Sequence, residues 1–252
     1  MASYAIISDI HGNSLALKAV LEDIRSRGIE KIINLGDHFF GALEPESVAD
    51  ILRANPMLCI SGNTDREILQ AIDTDFTKDG MDRVTADLSE ESIAWLRRLH
   101  KTQTCDGLFF VCHGTPHSDD EYLLEQVTQH GVFVYNDEYL VEQTKFIHER
   151  IILCGHSHVN RVIYLSNRKI VLNPGSVGLP AYLGTGQYRF SMESNTPHAK
   201  YAIVNIDGDS INIEQVLCTY DWHKASEAAL KNGNEKWSQF LLYGRMPKDL
   251  RI

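Results

Sequence analysis

Asp9, His11, Asp37, Asn63, His113, His156 and His158 carry the oxygen and nitrogen donors that two adjacent metal ions would need. They fall in five short stretches: Asp9 to His11, Gly36–Asp37, Gly62–Asn63, His113–Gly114 and Gly155 to His158. Each stretch follows an apolar run that reads as a strand, so each donor sits at a strand end and its loop. Singly they would be ordinary, since a lone Asp before a helix is usually a cap and Gly–Asn pairs are common in turns. His11 lies two residues from Asp9, and His158 two from His156. Alternate residues of an extended segment point to one side, which aims each pair into one cleft. Jointly, the set describes a metal centre. Two ions about 3.5–4 Å apart serve in-line displacement at phosphorus.

The donors are carboxylate, carboxamide and imidazole without thiolate, which suits Mn²⁺, Fe or Zn²⁺ and argues against an all-oxygen Ca²⁺ cage. One carboxylate has two oxygens and can bridge two ions. The ions would lower the pKa of a shared water and supply a nucleophile near neutral pH. Their local charge would attract phosphate even though the 252-residue chain carries a formal −10.

The elements that must position these donors are legible in outline. Strands are expected over 3–8, 31–35 and 57–60, with a helix capped by Ser14 and another over 44–53 between them. This β-loop-α rhythm implies parallel strands with ligands gathered beyond their C-terminal ends. Later come a helix near 89–99, strands over 101–105 and 108–112, a helix near 136–147 and a strand over 151–154. Strands at 160–165, 168–172, 199–206 and 210–217 then follow one another, as in an antiparallel sheet or a second packed sheet. Two helices divided at Asn232–Asn234 form a tail from about residue 219, expected to pack on the body or on a second subunit. Residues 1–252 read as one domain, because donors come from both halves. Residues 72–88 and 182–198 read as loops, either solvated or forming lids over the cleft.

Composition excludes some classes. The acidic balance argues against a long nucleic acid as partner, and no run is long enough for a membrane span. The first residues lack the basic head of a signal peptide. The five cysteines show no metal-type pairing and read as small buried hydrophobes in a reducing, cytoplasmic setting. A small phosphoester or nucleotide remains a fitting substrate.

The ordered blocks resemble the calcineurin-like metallophosphoesterase family. The runs SDIHGN from Ser8 to Asn13, HGTP from His113 to Pro116 and NPGSVG from Asn173 to Gly178 resemble its compact prokaryotic phosphodiesterase branch. The resemblance spans residues 4 to about 217. It implies an α/β, four-layer αββα sandwich, with two packed mixed sheets flanked by helices. It also implies two divalent ions, with Mn²⁺ expected first and Fe, Zn²⁺, Co²⁺ or Ni²⁺ as alternatives. By matching position, Asp9, His11 and His158 would hold one ion and Asn63, His113 and His156 the other. Asp37 would bridge them, and the Asn173–Gly178 turn would shape the floor.

One position departs from the family pattern. Many members place His directly after the Gly–Asn pair, where it binds phosphate or protonates the leaving group. Here Thr64 stands there, followed by Asp65. A Thr hydroxyl can hydrogen-bond phosphate but is a poor general acid near pH 7. Some compact relatives with phosphodiesterase activity also lack this His. Substrates with good leaving groups are therefore expected, and His38 or His117 is a candidate substitute acid, although each is more simply a packed or exposed imidazole. The expected activity is hydrolysis of a phosphodiester or nucleotide-type substrate. Alternatives are a phosphomonoesterase acting on phosphoproteins, or a non-catalytic interaction scaffold of the same fold.

Overall fold

The protein, described here over residues 2–247 in a computed structural model, begins with β1 (Ala2–Ile7), whose side chains alternate between two cores. Tyr4 and Ile6 face one core, Ala5 and Ile7 the other. α1 (Ser14–Ser26) follows, then β2 (Lys31–Asn34), α2 (Pro45–Ala54), β3 (Leu58–Cys59) and α3 (Asn63–Asp73). Two short helices, α4 (Met81–Asp87) and α5 (Glu90–Leu96), complete the first half. The α1 cap is Asn13 rather than the expected Ser14. The Asn13 carboxamide accepts from Ala16 N at 3.0 Å, whereas the Ser14 hydroxyl donates to Glu44.

The second half contains β4 (Thr102–Cys105), β5 (Phe109–Cys112), β6 (Glu125–Thr128), β7 (Gly131–Val134) and α6 (Asp137–Gln143). It continues through β8 (Ile151–Leu153), β9 (Arg161–Tyr164), β10 (Ile170–Asn173), β11 (Ala181–Thr185) and β12 (Arg189–Glu193). β13 (Ala199–Asp207), β14 (Ser210–Cys218), α7 (Trp222–Lys231) and α8 (Glu235–Tyr243) close it.

Two mixed five-stranded sheets result, in the orders β14-β13-β1-β2-β3 and β4-β5-β8-β10-β9. β1, β2 and β3 are parallel, as are β5, β8 and β10, while β13 and β4 join antiparallel. Tyr4, Ile6, Ile33 and Val204 of the first sheet meet Phe109, Val111, Ile151 and Leu153 of the second in a shared inner core. Truncating one of these, such as Ile6, to Ala costs about 2–5 kcal/mol. The outer face of the first sheet packs on α1, α2, α4, α7 and α8 through residues such as Leu17, Val48, Val84, Ala229 and Leu241. The outer face of the second, with Cys112, Ile152 and Val171, is covered by Leu140 of α6 and by Leu123, Leu124 and Ile147. The layers are those of the expected sandwich.

Both stretches read as loops contain regular structure. α4 lies inside 72–88, anchored by buried Met81 and Val84. The hairpin β11–β12 fills most of 182–198, with Phe190 and Met192 buried. β6–β7 is a further hairpin for which no strand was expected. Helix α6 is shorter than expected and stops at Gln143. All five cysteines are free, but Cys59, Cys105 and Cys218 are only half-buried. No helix among the described residues is long and apolar enough to cross a membrane.

Candidate metal centre

The donors sit one to five residues past the C-terminal ends of β1, β2, β3, β5 and β8. Asp9, His11, Asp37, His156 and His158 all have left-handed backbone, with φ of 56°, 51°, 57°, 66° and 60°. The pairs two residues apart therefore do not converge by strand alternation, as their spacing implied. Tight turns aim them instead. Such backbone costs about 1–3 kcal/mol per residue and persists where the surroundings over-determine it. Here Asp9 N and His11 N donate to Gly36 O and Asp37 O, both at 3.0 Å. The Asn173–Gly178 turn grips the same loop, with Ser176 Oγ donating to Asp9 O at 2.7 Å and Gly178 N donating to it at 3.0 Å.

Three imidazoles are oriented by main-chain carbonyls. Nδ1 of His11, His113 and His158 meets Phe40 O, Leu35 O and Leu179 O at 2.7, 2.7 and 2.6 Å. Each Nδ1 must then carry the proton, which leaves the Nε2 lone pairs facing the centre. His11 Nε2 and His158 Nε2 are 3.1 Å apart, and His158 Nε2 lies 3.2 Å from Asp9 Oδ1. His113 Nε2 lies 3.4 Å from Asp37 Oδ2 and 3.1 Å from Asn63 Oδ1. Asp9 is fully buried and neither carboxylate oxygen has a hydrogen-bond partner. An orphaned buried carboxylate ringed by lone pairs is unfavourable unless a cation joins it. Asp9, His11 and His158 form one group with the spacing to hold an ion, and Asp37, His113 and His156 form another. The residues therefore fit two divalent metals.

The electrostatics agree with a site poised for positive charge. Burial alone would raise Asp9 and Asp37, but the surrounding imidazoles outweigh it and hold both carboxyls low, Asp37 especially. Burial lowers His11 and pushes His156 down to about 3, with the charge on His113 adding to the latter. His113 goes the other way: Asp37 and Asp9 outweigh its burial and lift it to about 10.

Close backbone approach is built into the sequence. A Cβ on Gly62 would lie 2.1 Å from Asp37 Oδ1, and one on Gly155 would lie 2.2 Å from Ser8 Oγ. Only glycine lets these loops press against the carboxylate-bearing turns.

The remaining expected residues separate. Thr64 lines the cleft, its N–H donating to Asp37 Oδ1 at 2.9 Å and its Oγ1 buried without a partner. Asp65 faces away from the cleft. It accepts from Asp37 N and Gly62 N at 2.9 Å and from His38 Nδ1 at 2.8 Å. His38 is fully buried against Trp95, and Asp65 outweighs that burial to raise it to about 10. His117 stacks obliquely on Phe146, its ring centroid 4.8 Å away. Neither His38 nor His117 lines the cleft.

That cleft has a volume of about 420 Å³. Beyond the donors it is walled by Phe40, Tyr182, Leu183, Trp237 and Phe240, with Lys78 and Lys236 at its rim. Tyr182 was foreseeable as a rim residue, but Trp237 and Phe240 were not. Their spacing with Leu241 marks a packing face, yet nothing in it says that the face ends at the donor cluster.

Comparison with known proteins follows the same lines. The calcineurin-like phosphoesterase superfamily domain matches residues 3–209. An uncharacterized protein of Methanocaldococcus jannaschii is 30% identical over 96% of this chain and 98% of its own. A metallophosphoesterase from Sphaerobacter thermophilus superposes with a TM-score of 0.72 at 22% identity, covering 96% of this chain and 100% of that one. A hypothetical protein from Pyrococcus horikoshii gives 0.74 at 18% identity, over 98% and 100%. These two structural likenesses concern the fold. With the family domain matched over most of its length, the chain belongs to the calcineurin-like phosphoesterase superfamily and is a metal-dependent phosphoester hydrolase.

Proposed function

We propose that the protein hydrolyses a phosphodiester or nucleotide-type phosphoester at a dinuclear centre. Asp9, His11 and His158 would hold one ion, Asn63, His113 and His156 would hold the other, and Asp37 would serve both. When bound, the ions supply Lewis acidity and a nucleophile near neutral pH. Mn²⁺ is the proposed ion, with Fe, Zn²⁺, Co²⁺ or Ni²⁺ as alternatives. The whole chain is proposed to act as one domain, and the free cysteines agree with a cytoplasmic setting.

The chain's own groups do the rest. Three main-chain carbonyls fix the imidazole tautomers, and Thr64 Oγ1 is free to donate to a phosphate oxygen. The single observation that carries the substrate reading is the cleft's lining. It joins the donor cluster to an aromatic wall, and its only imidazoles are His11, His156 and His158 of that cluster. A leaving group thus departs without a ring acid, which favours acidic alcohols and anhydrides over alkyl monoesters. Side-by-side hydrolysis of an aryl diester and an aryl monoester with Mn²⁺ tests this. Diester turnover above monoester turnover is expected, and the reverse ranking contradicts the substrate reading.

A further inference from the structure

The matched family domain ends at residue 209, yet α8 and the turn before it, through Asn234, Lys236, Trp237 and Phe240, build one wall of the cleft. The turn between them is anchored where Asn232 Nδ2 donates to Ala42 O at 2.8 Å. Trp237 is wedged over the backbone at Gly41, where a Cβ would lie 2.7 Å from the indole. Its ring stands edge-on to His11, with centroids 5.9 Å apart at 76°. One hairpin therefore brings a half-buried indole beside a proposed metal ligand. Lys78, also on the cleft lining, lies over the Phe40 ring at 4.6 Å but is paired with Glu67. Lys236 is exposed at the rim and makes no ion pair among the described residues.

We infer that α8, with the turn that joins it to α7, is the substrate-recognition element and that it selects nucleotides. The inference rests on the phosphoesterase reading, because the donor cluster places the phosphate. The base packs against Trp237 and Phe40, and a further phosphate is met by Lys236. Flat π-faces accept any base, and each stacked base strengthens binding about 5- to 150-fold. At the same rim Asn234, whose carboxamide oxygen caps α8, offers its amide N–H groups and Asp79 a carboxylate to the edge of a base. The cleft has the size of a small-molecule site, and its charged rim does not suit an acyl chain.

Calorimetry on Mn²⁺-loaded protein with inorganic phosphate, ribose 5-phosphate, AMP and ADP tests this. AMP should bind at least about tenfold more tightly than ribose 5-phosphate, and that ratio should fall to about one in Trp237→Ala. Lys236→Ala, a change at an exposed side chain, should reduce the preference for ADP over AMP. Phosphate binding with AMP and ribose 5-phosphate equal in the parent protein overturns the recognition element and leaves the phosphoesterase reading standing. An undiminished ratio in Trp237→Ala, or an ADP preference unmoved by Lys236→Ala, also overturns it. No phosphate binding at all contradicts both.

Discussion

The Nε2 atoms of His11 and His158 face each other at 3.1 Å, while each Nδ1 is committed to a backbone carbonyl. No proton lies between the two lone pairs in that tautomer, and the adjacent Asp9 carboxylate has no hydrogen-bond donor. A cation resolves both problems at once. Stripping the metal should therefore destabilise the fold. With Mn²⁺ restored to about 100 times its dissociation constant, each bound ion contributes about 2.7 kcal/mol. That corresponds to a rise in Tm of about 5–10 °C per ion, readable by scanning calorimetry. An unchanged Tm would show that the cluster tolerates its own repulsion.

Gly62→Ala should damage the centre although the residue donates nothing to it. The new methyl group would meet Asp37 Oδ1 at 2.1 Å and swing the carboxylate. Loss of metal affinity and activity of at least about 10–100-fold is expected, as when a ligand's support is removed. Metal titration of the variant checks it.

His38 and His117 should not set the pH dependence of the reaction. His117→Ala should leave both the pH–rate profile and the stability unchanged, because its ring rests on Phe146. His38→Ala should leave the profile's shape intact but lower stability by about 3–5 kcal/mol, because buried Asp65 loses its charged partner and keeps only backbone N–H donors. Denaturant unfolding beside a pH–rate series separates the two. A displaced limb in either profile would restore the substitute-acid role.

Lys200, which is not one of the donors, gives a pH signature of its own. Burial pushes its ammonium down from 10.5 to about 8, and its Nζ meets Asn160 Oδ1 at 3.0 Å. The unfolded chain then binds more protons than the folded one between those values, so this residue adds stability as pH rises through that window. Lys200→Met should remove that rise and increase Tm at pH 7 by about 2–8 °C. Thermal melts from pH 7 to 10 check the slope.

The donors were legible because each ends an apolar strand in a short block. Asp9, Asp37, His113 and His156 lie at one end of parallel strands, and topology alone brings them together. Their aiming was not legible. Spacing of two implied extended backbone, whereas the structure uses left-handed turns held by hydrogen bonds between distant loops. The β11–β12 hairpin was hidden by Gly184 and Gly186 and by polar residues between its buried positions, which weaken a strand pattern. His38 was ambiguous because its partner Asp65 lies 27 positions away, and only the fold turns it inward. Trp237 read as a packing residue and is one, but it packs where the cleft opens.

Metal content measured beside activity tests the central claim most directly. Protein purified without chelator should hold two divalent ions per chain and hydrolyse an aryl phosphodiester. Asp37→Asn should hold at most one ion and lose at least about a hundredfold in activity, since a lost ligand costs more than a lost support. A parent protein that takes up no transition metal on titration, or an Asp37→Asn variant with full metal content and activity, would contradict the account.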